Sequence, residues 1–192
     1  NRSSDLLQFR ILLDWAPFEQ PRSGIVTPQN MFLVKAFRDA ADIASIAGDD
    51  KHSDRYNSAA AALKACINTL LWDTDRLAYL DCIHADGQPS ATISMQTQIT
   101  AYLCDIANGE RQQRIERYIA DPPASFIQVG SPFMSFFYYE ALVKLGRVDL
   151  LLTDMRNHYG IMIENDATAC WEMYPWSGYT QDPRVLTRSH CH

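Results

Sequence analysis

The stretch TPQNMFLVKAFRDAADIASIAGDDKHSDRYNSAAAALKACINTLLW, residues 27–72, carries the pattern that decides the fold. Thr27 and Pro28 predict a helix start, because threonine caps a helix N-terminus and proline fits its first turn. Apolar residues then recur every three or four positions up to Gly48, a typical helix end. A second helix of the same kind begins at about Ser53 and ends near the last residue of the stretch. The short polar turn between the two helices predicts an antiparallel helical hairpin.

The rest of the chain repeats this arrangement. Residues 77–81 and the turn Asp86-Gly87 predict a small strand or hairpin excursion after the first pair of helices. The four further helices are predicted at Ser94–Ala107, Glu110–Ala120, Ser131–Gly146 and Val148–Tyr159. Six helices in three hairpins predict one all-α domain over residues 1–192, built as an α-solenoid or as an arc of a helical toroid.

The charge of the chain argues against two classes of partner. The net charge is −6 and the pI is about 5.3, and no Lys/Arg cluster forms a basic face for duplex nucleic acid or an anionic membrane surface. No apolar run approaches the roughly 18 to 20 residues that span a bilayer. We therefore expect neither a nucleic-acid nor a membrane partner.

The cysteines indicate packing thiols rather than a disulfide framework. Their number is odd, they are widely spaced and they include no CxxC pair. This pattern favours a soluble cytoplasmic or periplasmic protein over a disulfide-rich secreted one. Cys191 lies between His190 and His192, but metal ligands usually come as spaced sets on a preformed scaffold. Neither a metal nor another cofactor is predicted.

Two segments place carboxylates among large aromatic side chains, outside any helical period. They are residues 13–19, LDWAPFE, and residues 167–176, ATACWEMYPW. Aromatic rings pack against the C–H face of a sugar, whose hydroxyls need fixed polar partners, and an apolar wall raises a carboxyl pKa as a glycosidase acid requires. The alternative is that Trp15, Trp171 and Trp176 only plug the end of a helical bundle. The residues alone leave both interpretations open.

The histidines and the remaining turns carry weaker signals. His52 and His84 lie in polar segments and are predicted to be solvated. His158 is predicted near a helix C-terminus, where its protonated form would favour the helix dipole. The segment Asp73-Thr74-Asp75 is typical of a turn.

Five short elements resemble the motifs of one enzyme family, in that family's order. Residues 166–172, DATACWE, resemble the GATT-x-WE signature of the α-L-rhamnosidases of glycoside hydrolase family 78. Gly130-Ser131-Pro132-Phe133 is similar to the family's GTP helix start, and Ser94–Gln98 is similar to its QTQ helix. Asp14-Trp15 is similar to its DW loop, and Ser189–His192 is similar to its S-L-C-H element. Together they span almost the whole chain.

The resemblance implies a fold, an activity and a set of site residues. It implies about half of an (α/α)6 barrel that hydrolyses terminal α-L-rhamnosides with inversion, so a carbohydrate is the implied substrate. Glu172 matches the family's catalytic base. The implied substrate-binding residues are Asp14, Trp15, Trp171, Tyr174 and His192.

The chain also departs from the family pattern. Asp166 stands where the signature has glycine, and Ala169 stands where it has threonine. The family's RDER…GW-x-GD motif, which carries the general acid, has no counterpart in this sequence. We therefore expect the acid to lie in the remainder of a longer parent chain, and this chain alone to be inactive.

Three other interpretations remain open. A non-catalytic helical-hairpin module would bind carbohydrate or protein, another toroidal glycosidase would act on a different sugar, and an α-solenoid scaffold would lack converging aromatic loops. Convergence of Asp14, Trp15, Glu172 and His192 on one cleft would favour the glycosidase.

Overall fold

The computed structural model of the protein describes residues 13–177. Its helices are α1 (Thr27–Ile46), α2 (Asp50–Leu70), α3 (Met95–Leu103), α4 (Gly109–Ala120), α5 (Pro132–Lys144) and α6 (Val148–Glu164). Its strands are β1 (Gly24–Val26), β2 (Trp72–Asp73), β3 (Ala78–Tyr79) and β4 (Cys82–His84). The prediction of an all-α fold, with helices in hairpins and a minor β excursion, is confirmed for this part of the chain.

Helix α3 is shorter than predicted. It ends at Leu103 rather than Ala107, because Asp105 adopts a φ of 50° and turns the chain. Ile106 is fully buried in that turn and closes it by donating its N–H to the carbonyl of Ala101. Apolar residues in a buried turn follow the same pattern as the last turn of a helix, so the sequence could not separate the two.

Helix α6 is longer than predicted. It continues past Tyr159 to Glu164, because Gly160 lies inside the helix and does not end it. A glycine inside a helix costs only about 1 kcal/mol relative to alanine, and tertiary packing can offset that. Met162, in the added turn, is buried in the main core.

Helices α1, α3 and α5 form an inner row, and α2, α4 and α6 pack outside it. Helix α3 contacts both α1 and α5, and every residue from Met95 to Tyr102 is buried. By contrast, α4 buries only Ile115 and Ile119. A helix that is buried on all sides belongs to the interior, whereas one with a narrow apolar stripe covers it. This double row matches the arc of a helical toroid.

The N-terminal ends of the three inner helices lie together. The N–H of Thr27, which opens α1, donates to the carbonyl of Asp81 at 3.0 Å, and the Asp81 carboxylate in turn accepts from Ser94, the N-cap of α3. Ser94 also forms a parallel bridge with Ile127, just before α5. The loops that precede the inner helices are therefore gathered at one end of the molecule.

Two short antiparallel strand pairs support these loops. Strand β1 pairs with β4 in the register Gly24↔His84 and Val26↔Cys82, and β2 pairs with β3. Gly24 has a φ of 125°, and a Cβ there would lie 2.4 Å from the Ile83 carbonyl oxygen, so only glycine permits this close pairing. None of the helices between residues 13 and 177 is long and apolar enough to cross a membrane.

Candidate functional site

The Asp14 carboxylate joins the loop of residues 13–19 to two inner helices. It accepts hydrogen bonds from Gln96 Nε2 at 2.6 Å, from the Gly130 N–H at 2.8 Å and from Ser131 Oγ at 2.5 Å. It also accepts from the N–H of Trp15 at 2.8 Å. Burial raises the pKa of this carboxyl, although the four hydrogen bonds oppose the shift. Both carboxylate oxygens therefore have partners within the protein.

The segment of residues 171–177 is attached to the same place. The N–H of Tyr174 donates to the Gly130 carbonyl at 2.8 Å, and its hydroxyl lies 2.9 Å from Ser135 Oγ on α5. Glu172 is half-buried, and the rings of Trp171 and Tyr174, which flank it in the sequence, pack into the core. Gly130 thus binds the first loop through its N–H and the second through its carbonyl, which brings the two aromatic segments to one end of α5.

Gly130 also permits the first loop to approach closely. A Cβ at this position would lie 2.9 Å from the backbone nitrogen of Ala16 and 3.1 Å from its Cα. Backbone atoms cannot turn aside as a flexible side chain can, so any larger residue would push the loop away. Gly130 was part of the predicted helix start, but its contact with Ala16 could not be read from the sequence.

We expect Gly130→Ala to destabilise the protein by about 1 to 3 kcal/mol, the usual cost of overpacking. The measurement is urea unfolding of the full protein that carries this chain. The matched control is Gly160→Ala, because a Cβ at that helical position would meet nothing within 4 Å. The control should gain up to about 1 kcal/mol from the higher helix propensity of alanine. Equal stability of Gly130→Ala and the unsubstituted protein would contradict the close contact.

Asp81 is a second buried carboxylate that organises this end of the fold. It accepts from Ser94 Oγ at 2.5 Å, from Thr97 Oγ1 at 2.6 Å and from Thr92 Oγ1 at 2.8 Å. Burial raises the pKa of this carboxyl to about 6, although its hydrogen bonds oppose the shift. The sequence placed Asp81 at the end of a predicted strand and did not indicate this role. Its nearest signal is the serine and threonine cluster at the start of α3.

A cluster of aromatic rings lies beside α6, with Tyr174 buried and Trp176 partly exposed. The rings of Tyr174 and Trp176 stack with centroids 4.8 Å apart and an interplanar angle of 11°, and the His158 ring lies 4.7 Å from that of Trp176. Asp154 Oδ2 lies 2.9 Å from His158 Nδ1 and accepts a hydrogen bond from the hydroxyl of Tyr139 at 2.9 Å. The first contact has the distance of an ion pair but not the alignment of a hydrogen bond. The adjoining cavity has a volume of about 190 Å³ and is lined by Met95, Pro122, Gln128, Val129, Tyr138, Asp154, His158 and Trp176.

These contacts differ from the prediction that His158 interacts with a helix C-terminus. The side chain does not interact with a helix end, because α6 continues beyond it to Glu164. It lies one helical turn after Asp154 and under the aromatic rings of Tyr174 and Trp176. The i, i+4 spacing of an aspartate and a histidine is the sequence signal that could have indicated the pair.

The prediction for His84 was also wrong. His84 is not a solvated loop residue but lies on β4, where its Nε2 is 2.5 Å from Glu19 Oε2 and 3.7 Å from Cys82 Sγ. Burial, with smaller contributions from the Glu19 and Asp81 charges, raises the pKa of the Cys82 thiol to about 12. His52 is exposed as predicted, although it lies in the first turn of α2, where it pairs with Asp49. The segment at Asp73 forms the predicted turn, since Asp73 Oδ1 accepts the N–H groups of the second and third residues that follow it.

Five of the six predicted site residues lie in the described part of the chain, all except His192. Asp14 and the segment with Trp171, Glu172 and Tyr174 meet at Gly130, and the half-buried Trp15 adjoins Asp14. Trp171 and Tyr174 are buried, as expected if these aromatic residues only plug the end of a helical bundle, whereas Trp176 is 40% exposed. His192, with His190 and Cys191, lies outside the described residues. Sugar contacts and the catalytic role of Glu172 stay predictions.

The double row of six helices, with its loops gathered at the N-terminal ends of the inner row, matches part of a six-hairpin glycosidase domain. The chain belongs to the bacterial alpha-L-rhamnosidase 6 hairpin glycosidase domain family, whose sequence model matches residues 2–192. The resemblance inferred from the motifs is thereby confirmed. No curated protein matches the chain.

Two solved structures are similar to the chain. The GH78 family rhamnosidase of Bacillus sp. GL1 is 55% identical, with a TM-score of 0.91, and the match covers 98% of this chain but 20% of that enzyme. The rhamnosidase from Klebsiella oxytoca, whose structure has rhamnose bound, is 19% identical, with a TM-score of 0.72, over 95% of this chain and 34% of that one. The second likeness concerns the fold alone. The chain thus spans about a fifth to a third of the length of these two rhamnosidases, as a part of a larger protein.

Proposed function

We propose that the chain is part of a catalytic domain that hydrolyses terminal α-L-rhamnosides with inversion, with Glu172 as the general base. The observation that carries the proposal is the shared attachment at Gly130, which brings the Glu172 segment and the Asp14–Trp15 loop to one end of α5. The high identity to a family 78 rhamnosidase supports the sugar class.

Inverting hydrolysis needs two carboxyl groups on opposite sides of the glycosidic bond. One protonates the leaving oxygen, and the other removes a proton from the water that attacks the anomeric carbon. Glu172 would take that proton at its carboxylate. The backbone bond from Tyr174 to Gly130 and the burial of Trp171 hold the segment on both sides of Glu172, which limits how far the carboxylate can move.

The partner acid and part of the sugar pocket belong, in this proposal, to the remainder of the parent chain. The exposed apolar side chains of α5 agree with a missing neighbour, since Phe136 is 65% and Val143 is 58% exposed. This chain alone would therefore release no rhamnose.

The rival function is a non-catalytic helical-hairpin module that binds carbohydrate or protein. The burial of Trp171 and Tyr174 favours it, because rings packed in the core cannot face a sugar. In that case Trp176 and Asp154, beside the open cavity, would be the better candidates for a binding surface.

Proton NMR of the first product formed by the full protein tests the reaction class. Inversion at an α-L-rhamnoside should release the β anomer first, and the α anomer should grow only as the free sugar mutarotates. The control is the same substrate with buffer alone. An α anomer that appears first would overturn inversion, and no release at all would favour the binding module.

A further inference from the structure

Three side chains with metal-binding atoms meet between β4 and the loop that precedes β1. Glu19 comes from the loop, and Cys82 and His84 lie on β4. The closest approach is 2.5 Å between His84 Nε2 and Glu19 Oε2, and Cys82 Sγ lies 3.7 Å from the same nitrogen. All three donor atoms lie within 4.8 Å of one another. A carboxylate, a thiol and an imidazole thus surround one point.

His84 and Glu19 pair closely, whereas the Cys82 thiol contacts a ring nitrogen that Glu19 already engages. A single imidazole nitrogen carries either one proton or one lone pair, so His84 Nε2 can form one good hydrogen bond, yet two side chains approach it. A cation between the three atoms would contact all of them. We propose that Glu19, Cys82 and His84 form a zinc-binding site, with solvent as the fourth ligand.

Two of the three distances between the donor atoms can be compared with those around a zinc ion. Zinc bonds of about 2.0 to 2.3 Å to nitrogen, oxygen and sulfur in a tetrahedral arrangement separate neighbouring ligand atoms by roughly 3.3 to 3.8 Å. The sulfur–nitrogen distance of 3.7 Å is already in that range. The nitrogen–oxygen distance of 2.5 Å must increase by about 1 Å. The side chains of His84 and Glu19 are 34% and 26% exposed, which leaves room for that movement.

The surrounding backbone orients the donors. Glu19 Oε1 accepts the N–H groups of Ala91 at 2.7 Å and Thr92 at 3.0 Å, which leaves Oε2 directed toward His84. Cys82 and His84 are two residues apart on a strand, so their side chains point to the same face. The pairing of β4 with β1 holds that strand in place. Hydrogen bonds that fix a ligating carboxylate in this way are typical of protein metal sites.

The donor set selects zinc among the common cations. Calcium and magnesium take oxygen ligands, whereas zinc binds sulfur, nitrogen and carboxylate oxygen together. Binding would convert the Cys82 thiol to a thiolate and release its proton to solvent. The ion would tie the loop that carries Asp14 to β4. The site is independent of Glu172 and of the proposed reaction.

The test is the zinc content of the full protein, loaded with zinc chloride, freed of excess metal and measured by inductively coupled plasma mass spectrometry. Cys82→Ser, His84→Asn and Glu19→Gln should each hold one zinc per chain fewer than the unsubstituted protein. In competition with a chromogenic chelator, the affinity of this site should fall by about 100-fold or more. Cobalt should give a thiolate charge-transfer band that Cys82→Ser abolishes.

The controls separate this site from other thiols and histidines. Cys104→Ser replaces an equally buried cysteine and His52→Ala an exposed histidine, and both should keep the full zinc content. Melting curves in excess chelator show whether each variant folds. If Cys82→Ser does not fold, His84→Asn and Glu19→Gln still test the site, because both positions are partly exposed. Zinc that survives any one of the three ligand substitutions overturns the site. So does zinc that is lost only in Cys191→Ser.

Discussion

Replacing Glu172 by glutamine should lower kcat of the full protein on an aryl α-L-rhamnoside by about 10² to 10⁴-fold, the usual contribution of a general base. The amide has nearly the shape of the carboxylate, but it cannot take a proton from water. Because Glu172 would act on water rather than on the sugar, KM and the affinity for rhamnose should change little. Steady-state kinetics measures kcat and KM, and calorimetry measures the affinity for rhamnose.

The matched control for this experiment is Glu164→Gln. Glu164 is an exposed glutamate at the end of α6, and its loss should leave kcat within a factor of about two. Melting temperatures of both variants should equal that of the unsubstituted protein. If Glu172→Gln keeps full turnover, the assignment of the base is wrong. If it loses turnover only together with stability, Glu172 acts through the structure of its segment.

Replacing Asp14 by alanine should destabilise the protein by at least about 1 to 3 kcal/mol, the cost of leaving even one buried hydrogen-bond donor without a partner. The substitution leaves Gln96 Nε2, the Gly130 N–H and Ser131 Oγ without their acceptor in the interior. The loop of residues 13–19 would then detach from α3 and α5. Urea unfolding measures the loss, and activity should fall in parallel with the folded fraction.

A comparison of substitutions separates this bridging role from the predicted sugar contact. Asp121→Ala, at an exposed position after α4, should change stability by no more than about 0.5 kcal/mol. Asp14→Asn keeps one acceptor oxygen and should lose less stability than Asp14→Ala. If Asp14→Asn instead leaves stability intact and raises KM, then Asp14 contacts the substrate and the interior bridge is not its main role.

The starts of α3 and α5 were predicted correctly because capping is local, whereas α2 begins at Asp50, before the predicted Ser53, and Thr27 does not cap α1. Ser94 accepts the N–H of Thr97 and Ser131 accepts the N–H of Met134, each within the first turn of its helix. The two aromatic segments were also found from the sequence, since neither follows a helical period. The helix ends were predicted less accurately. In sequence, the buried turn at Asp105 resembles the last turn of a helix, and Gly160, which lies inside α6, resembles a helix end.

The site could be predicted only in outline. The sequence marked Trp171 and Tyr174 as large rings beside a carboxylate, but not that both are buried. It treated His84 as solvated, because its carboxylate partner Glu19 lies 65 residues earlier in the chain. No local pattern reports a contact between residues so far apart.

The sequence by itself determined which segments are helices, where the inner helices begin, and which family the chain belongs to. Only the tertiary structure decided what the polar side chains between those helices do. Ser131, the N-cap of α5, illustrates the difference between local and tertiary roles. Its hydroxyl oxygen accepts an N–H of its own helix, and its hydroxyl proton remains available to another acceptor. That proton goes to Asp14, 117 residues away, because burial requires the carboxylate to find donors and the packed inner helices are where donors are available.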